Sequence, residues 1–302
     1  MRVRTLISVV CLSAFSALCA VGAGASTHKH SVSTSAGHNS PASGCSDLHI
    51  RIDDRDAVVK SEERTVSKAE APTLRVHPHT NGGVQIQGWD KDVYSVTACK
   101  AAANSGGDAE RVLSQITLTI QNGEVSTKGP GDEDQWTVYL LIRAPKAAVI
   151  DLQSDNGPIS LYSVDGKLTA KTTNGPISLH DISGDAEITA VNGPIDIAGG
   201  SGNMHVHTQN GPISVSLHGT SWNGAGLSAD AQNGPLTLHV PSDYQSSFVV
   251  ESKGYSPVSC KASICDQARK TWDDDHRRIE FGNSPAAIRL STVNGPVSVQ
   301  TL

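Results

Sequence analysis

The sequence predicts an all-β protein whose chain coils into a parallel β-solenoid, or β-helix. Only 18% of the 302 residues are charged and 4% are aromatic, whereas glycine occurs 28 times. This composition disfavours helical bundles and coiled coils. The tetrapeptide Asn-Gly-Pro-Ile recurs at three successive intervals of 18 residues. Apolar and polar residues alternate around each copy, which is the period of a strand with one buried face.

The first 25 residues are predicted to be a signal peptide, because a basic start and an apolar stretch lead to Ala23-Gly24-Ala25. A transmembrane anchor is the competing interpretation, but the apolar stretch is short. We therefore expect an exported protein, in the periplasm, on the outer surface or outside the cell, with no transmembrane anchor after cleavage. Loss of Arg2 and Arg4 leaves 22 basic against 30 acidic residues, a net charge of −8. This balance argues against a nucleic-acid partner, which requires a basic surface.

Four cysteines remain in the mature chain, and an oxidising compartment favours their pairing. Four cysteines allow three pairings. The favoured pairing joins Cys260 to Cys265, which closes a short loop, and Cys45 to Cys99, which staples the N-terminal region. A four-cysteine zinc site is the alternative, but it lacks the usual paired C-x-x-C spacing.

The chain before the repeats divides into a flexible Ser-, Thr- and His-rich leader, 26–44, and an irregular β cap, 45–137. The leader is almost without apolar residues and cannot offset the entropy cost of its own ordering. Within the cap, Asn81-Gly82-Gly83-Val84 is an early echo of the repeat. Ala109 to Gln115 suits a helical turn, and Thr117 to Gln121 suits the first strand of a hairpin. The cap is expected to protect the edge of the solenoid.

The repeat solenoid is assigned to residues 138–302, and each 18-residue unit holds two short strands and two turns. A unit this small cannot bury its apolar face alone, so the units must stack. One unit per turn of the coil places equivalent residues about 4.8 Å apart, as ladders of apolar side chains and of Asn amides. A sandwich of hairpins is the alternative, but it gives no reason for a constant interval. The predicted structural turns are Asn156-Gly157, Asn174-Gly175, Asn192-Gly193, Asn210-Gly211, Asn233-Gly234 and Asn294-Gly295.

The repeat becomes less regular toward the C-terminus. The interval is 23 residues after Asn210 and 61 residues after Asn233. The longer interval leaves room for degenerate units and for an excursion at about 255–278, expected to be a loop or a short helix. Ile279-Glu280-Phe281 is expected to return as a strand.

The order of these features resembles the bacterial putative adhesin family. The phrase N-G-G-V-Q-I-Q-G-W from Asn81 to Trp89 is followed by a strand, a variable segment and then N-G-x-I repeats, and the resemblance covers roughly residues 74 to 302. It implies an exported domain of repeated β-strands and supplies no catalytic motif. The cysteines and the excursion depart from the simplest pattern of the family.

A carbohydrate-active β-helix enzyme, a polysaccharide lyase or hydrolase, is the alternative function. Asp151 and Glu187 share one column two units apart, about 9–10 Å by strand spacing, but neither has an evident activating partner. His205 and His207 lie on one face of a strand and form at most half of a metal site. We therefore predict no catalytic residue, cofactor or metal ligand, and no enzyme.

The outward positions four residues past each motif Asn form the candidate binding face. On a coil they make a flat polar strip, with Tyr162 and His180 around the corner, and a repeated surface gains avidity from several weak contacts. The preferred function is an adhesin-like cell-envelope or surface scaffold whose partner is a cell-surface protein or glycan; a periplasmic sensor or accessory module is a third hypothesis. The alternative for the strip itself is a merely solvated sheet. Its predicted members are Ser160, Ser178, Asp196, Ser214 and Thr237, followed by Ser298.

Overall fold

The computed structural model describes residues 31–35, 40–79, 81–103, 108–131, 135–254, 256–272 and 277–302. Within these residues the protein is almost all β-structure. The predicted signal peptide, 1–25, lies outside the described residues, as do residues 26–30 and 36–39 of the predicted leader.

The described residues before Val149 contain nine strands, a helix and a short 3-10 turn at Cys45–Asp47. The helix, α1 (Ala109–Gln115), lies where the sequence predicts a helical turn. The strands are β1 (Val32–Ser35), β2 (His49–Ile52), β3 (Arg55–Ser67), β4 (Thr73–His77), β5 (Val84–Trp89), β6 (Val93–Ala103), β7 (Thr117–Gln121), β8 (Glu124–Lys128) and β9 (Trp136–Pro145).

Residues 149–240 contain ten strands, in which longer and shorter strands alternate along the chain. They are β10 (Val149–Asn156), β11 (Ile159–Tyr162), β12 (Lys167–Asn174), β13 (Ile177–His180), β14 (Asp185–Asn192), β15 (Ile195–Ala198), β16 (Asn203–Asn210), β17 (Ile213–Ser216), β18 (Gly226–Asn233) and β19 (Leu236–Val240).

The described residues after Val240 contain six strands and a 3-10 turn at Ser263–Asp266. The strands are β20 (Phe248–Ser252), β21 (Val258–Cys260), β22 (Arg269–Trp272), β23 (Arg277–Phe281), β24 (Ile288–Asn294) and β25 (Val297–Thr301).

These strands form two long sheets, and successive central strands alternate between them. The central pairing is parallel throughout, and antiparallel pairs occur at the two ends. Sheet I has 13 strands in the order β1-β2-β3-β6-β9-β5-β11-β13-β15-β17-β19-β25-β21. Sheet II has 12 strands in the order β22-β23-β20-β24-β18-β16-β14-β12-β10-β4-β8-β7.

The register of the central strands follows the 18-residue interval of the sequence. In sheet I, Ile159 pairs with Ile177, and Ile177 pairs with Ile195. Buried and accessible residues alternate along each strand, and the buried apolar side chains of both sheets join one core cluster. Parallel pairing of this kind is incompatible with a sandwich of hairpins, whose neighbouring strands run antiparallel.

The Asn-Gly-Pro turn depends on glycine for a steric reason. A Cβ atom on Gly175 would lie 2.3 Å from the carbonyl oxygen of Gly157, and one on Gly193 would lie 2.1 Å from that of Gly175. Gly175 and Gly193 also have φ angles of 147° and 154°, which residues with a Cβ rarely adopt. The stacked turns therefore approach too closely for any other residue at this position.

The motif asparagines form a continuous chain of side-chain hydrogen bonds, here called the Asn ladder. Each Nδ2 donates to the Oδ1 of the preceding member, at 2.8 Å between Asn174 and Asn156 and at 3.0 Å between Asn192 and Asn174. This confirms the predicted column of shared amide hydrogen bonds. Its members are Asn81, Asn156, Asn174, Asn192, Asn210, Asn233 and Asn294.

At both ends the order of strands in the sheets departs from their order along the chain. The pair β4–β5 lies between β8–β9 and β10–β11, although β8 and β9 follow it in sequence. The pair β24–β25 lies between β18–β19 and β20–β21, although it is the last part of the chain. Each end therefore contains a strand pair that is inserted between two others.

Three sequence-based expectations differ from the structure. Residues 32–35 of the predicted flexible leader form β1, because their backbone pairs antiparallel with β2. Part of the predicted irregular cap, 45–137, is regular, since Leu74 and Val84 pair with Ile150 and Ile159 of the repeats.

The third difference concerns the excursion at 255–278, which was expected to be a loop or a short helix. Its described residues contain β21, a 3-10 turn, β22 and the start of β23. These strands pair with the edges left open by β20 and β25, which satisfies backbone groups that an exposed edge would leave unpaired. The predicted strand at Ile279-Glu280-Phe281 is confirmed as part of β23.

Candidate functional site

The predicted polar strip lies on the outer face of sheet I. Ser160, Ser178 and Asp196 occupy neighbouring strands in direct register. Ser214, Thr237 and Ser298 continue the row in register. Strand spacing sets a repeat of about 4.8 Å along it. The hydroxyl residues are half-buried, and Asp196 is more exposed than they are but still partly covered. The strip is therefore a flat row of short polar groups.

The row extends beyond the predicted residues at its C-terminal end. Ser259 of β21 pairs with Ser298 and adds another hydroxyl. The sequence does not reveal this position, because β21 is only three residues long and carries no Asn-Gly-Pro motif.

The N-terminal end of the strip is covered by the segment that precedes β2. Gln85, in register with Ser160, is 3% exposed and exchanges two hydrogen bonds with the backbone of Ala42, at 2.9 and 2.8 Å. Ala42 belongs to a small second apolar cluster on this face, together with Tyr139. The Cys45–Cys99 disulfide, paired as predicted, fastens this segment to the sheet. The open part of the strip therefore begins at Ser160.

Three aromatic rings gather beside Ser160. Tyr162 and His180 are in register and stack with ring centroids 4.6 Å apart and planes at 6°. Burial raises the pKa of Tyr139 to about 12; the nearby Tyr162 adds to this, and a hydrogen bond from Ser160 opposes it. Burial also raises the pKa of Tyr162. The two phenols thus stay protonated at neutral pH, and a stacked ring surface borders the open strip.

Asp196 supplies the negative charge of the strip. Partial burial against the sheet raises the pKa of its carboxyl, and a hydrogen bond from Ser214 and the charge of His180 oppose this shift. A carboxylate between hydroxyl groups can accept hydrogen bonds from sugar hydroxyls or from peptide amides.

The acids considered for catalysis lie on the outer face of the other sheet. Register places Asp151 and Glu187 two strands apart in sheet II, with Thr169 between them. Neither acid makes a hydrogen bond or ion pair with another described residue. In register, Arg75 lies beside Asp151 and His205 beside Glu187.

The histidines considered as metal ligands, His205 and His207, lie two residues apart on the outer face of β16. His205 lies in register between Glu187 and Ser228, and His207 contacts Asp230. Across the described chain, no group of three or more His, Cys, Asp or Glu side chains is placed to hold a metal ion.

The second predicted disulfide, Cys260–Cys265, is also present and closes the loop between β21 and the following 3-10 turn. Within the part of the chain that the structure describes, none of the helices has the length and apolarity needed to cross a membrane.

Comparison with known proteins gives similar structures but no similar sequences. No family model and no curated protein matches the chain. A putative adhesin from Bacteroides fragilis NCTC 9343 is 9% identical with a TM-score of 0.40, covering 80% of this chain and 97% of the other. A putative adhesin from Parabacteroides distasonis ATCC 8503 is 12% identical with a TM-score of 0.38, covering 80% and 97%. A putative cell adhesion protein from Clostridium sporogenes ATCC 15579 is 11% identical with a TM-score of 0.31, covering 81% and 100%.

At these identities and TM-scores the likeness says nothing about what this chain binds. The names of the three solved structures do agree with the resemblance to the putative adhesin family found in the sequence.

Proposed function

We propose that this chain is an exported parallel β-solenoid that acts as a non-enzymatic, adhesin-like scaffold. Its open polar strip binds a repetitive partner, a glycan or a cell-surface protein. The coil is supported by the alternation of successive strands between two sheets and by parallel registers offset by 18 residues. Two disulfides are compatible with export to an oxidising compartment.

The observation that carries the proposal is the register of the strip. Ser178, Asp196 and Ser214 sit side by side on consecutive parallel strands. Because the spacing between strands is uniform at about 4.8 Å, a partner with repeated hydrogen-bonding groups can contact several positions at once. Several weak contacts of this kind combine into useful avidity.

The non-enzymatic part of the proposal rests on the shape and chemistry of this face. Catalytic sites generally enclose the substrate in a concave pocket that excludes water. The strip is a row of short side chains on a sheet, and the acids Asp151 and Glu187 lie on the opposite sheet without partners among the described residues.

The test replaces Ser178, Ser214 and Thr237 together by Lys. Lysine side chains block the flat surface, and all three positions face outward, so the fold should persist. The affinity of the wild type and of the variant is measured for intact bacterial cells and for a panel of immobilised polysaccharides. We expect at least a tenfold loss, about 1.4 kcal/mol, for a partner that the wild type binds.

A matched control carries the same substitutions on the outer face of sheet II, at the half-buried hydroxyl residues Thr169, Thr189 and Ser291. This control should attach like the wild type. Equal losses for both triple variants would reject the strip as the binding face. Turnover of a polysaccharide by the wild type would reject the non-enzymatic function.

A further inference from the structure

A second polar site lies at the C-terminal end of sheet II, away from the strip. A cavity of about 460 Å³ opens where β20, β22, β23 and the segment 282–286 meet. Its volume falls within the range of about 300–1,000 Å³ that is common for small-molecule sites. Residues that line it include Phe248, Arg269, Arg278, Glu280, Phe281 and Arg289.

The pairing of four strands assembles the charged wall of this cavity. Arg289 pairs with Val249, Val249 with Glu280, and Glu280 with Arg269, which places them in one row across β24, β20, β23 and β22. Arg278 lies two residues along β23 and contacts Glu280 and Glu251. Residues far apart in sequence thus converge on one cavity.

Positive charge exceeds negative charge at this site, in contrast to the whole chain. Three arginines and one glutamate line the cavity, and Glu251 adjoins Arg278 at 3.6 Å, so the local balance stays positive. The complete chain carries a net charge of −6. A positive cavity on an acidic protein attracts an anionic ligand.

The arginines of the cavity differ in which donors remain available. Arg289 is exposed and makes no hydrogen bond or ion pair with another described residue. The Nε atom of Arg278 is buried and has no hydrogen-bond partner among the described residues. Guanidinium groups bind carboxylates through paired, charge-assisted hydrogen bonds. The accessible guanidinium of Arg289 therefore suits a carboxylate. Arg269 and Arg278, which are paired with Glu280 and Glu251, add positive charge beside it.

The neutral part of the lining narrows the ligand class. Gln267, Asn283 and Ser284 add side-chain amides and a hydroxyl, and the half-buried ring of Phe281, which stacks on Phe248, adds an apolar edge. A sugar acid offers several hydroxyl groups to these partners beside the carboxylate that Arg289 suits, whereas an acidic peptide offers them only its backbone amides. We propose that this cavity binds a carboxylated sugar, such as a hexuronic acid unit.

The test measures the binding of glucuronate, glucose and the dipeptide Asp-Glu to the full mature chain by NMR titration. Glucuronate should bind saturably. Its affinity should fall as the salt concentration is raised, because the main contacts are charged. Arg289→Gln should lower the affinity for glucuronate at least tenfold. It should leave the melting temperature unchanged, since Arg289 has no partner to lose among the described residues. Arg278→Lys, which keeps the charge but removes the guanidinium, should also lower the affinity for glucuronate.

Arg75→Gln is the matched control. Register places Arg75 beside Asp151 and Arg289 beside Ser228, in the same row of sheet II at opposite ends, and both arginines are exposed. This variant should bind glucuronate like the wild type. Equal weakening by Arg75→Gln and Arg289→Gln would overturn the site. Glucose or Asp-Glu binding as tightly as glucuronate, or the absence of saturable glucuronate binding, would overturn the ligand class.

Discussion

The middle of this molecule and its two ends differ in how the order of strands along the chain relates to their order in the sheets. From β10 to β17 each strand pairs with the strand two places further along the chain, so order in sequence and order in the sheet coincide. At the ends, β4–β5 and β24–β25 are inserted between strand pairs that are distant from them in sequence. The central part can therefore form by adding successive units, whereas each end requires contacts across long loops.

The two kinds of region also differ in what stabilises them. The centre is stabilised by repeated ladders, in which Asn contacts Asn, Gly contacts Gly and Ile contacts Ile on neighbouring strands. The ends add a disulfide each and antiparallel strands that cover the open sheet edges. The central strands are therefore joined by repeated contacts, whereas the strands at the ends are joined by contacts that do not repeat.

The largest effect is expected from deleting residues 286–302. This removes β24 and β25, whose buried residues Ile288, Leu290, Val297 and Val299 each contribute about 1.5–3 kcal/mol by burial. It also leaves β20 and β21 without their parallel partners. Hydrogen exchange should show loss of amide protection in 248–281 and retained protection in 149–216.

The matched control deletes the first 35 residues. β1 is an edge strand with β2 as its partner, so its removal should leave protection elsewhere unchanged. If the C-terminal deletion also left β20 protected, β24–β25 would not be an inserted pair.

A single inward charge should strongly destabilise the regular centre. Ile188 of β14 is 1% exposed, and Ile188→Asp removes about 1.5–3 kcal/mol of burial and adds several more for an unpaired buried carboxylate. The neighbouring Thr189 points outward between Lys171 and His207, so Thr189→Asp should cost little. Urea unfolding compares the two. Equal urea midpoints for Ile188→Asp and Thr189→Asp would contradict the alternation of inward and outward positions.

The central pairings could be predicted from sequence because one interval encodes all of them. A parallel stack brings identical motif positions together, so an 18-residue offset predicts Ile159 beside Ile177 as well as every Asn contact between Asn156 and Asn210. The polar strip follows from the same offset, since Ser160 and Ser178 hold the same position in successive motifs.

The ends could not be predicted in this way, because the motif at Asn294 is compatible with any position in the stack. The 61-residue interval before it does not reveal that β20–β21 lies outside β24–β25. Ser259 and the arginine-lined cavity were missed for the same reason. They depend on which strands meet at the C-terminal end, and the antiparallel pairs there follow no repeat.

The smallest effect is expected from the Asn ladder, where the middle and an end differ by one hydrogen bond. Asn192 donates to Asn174 and accepts from Asn210, both at 3.0 Å, whereas Asn294 donates to Asn233 at 2.9 Å and no hydrogen bond to its Oδ1 is seen among the described residues. Each exposed bond contributes about 0.5–1.5 kcal/mol. Asn192→Ala should therefore lower the free energy of unfolding about twice as much as Asn294→Ala, as measured in urea. A larger loss at Asn294 would show that the asparagines act through the local turn and not through the ladder.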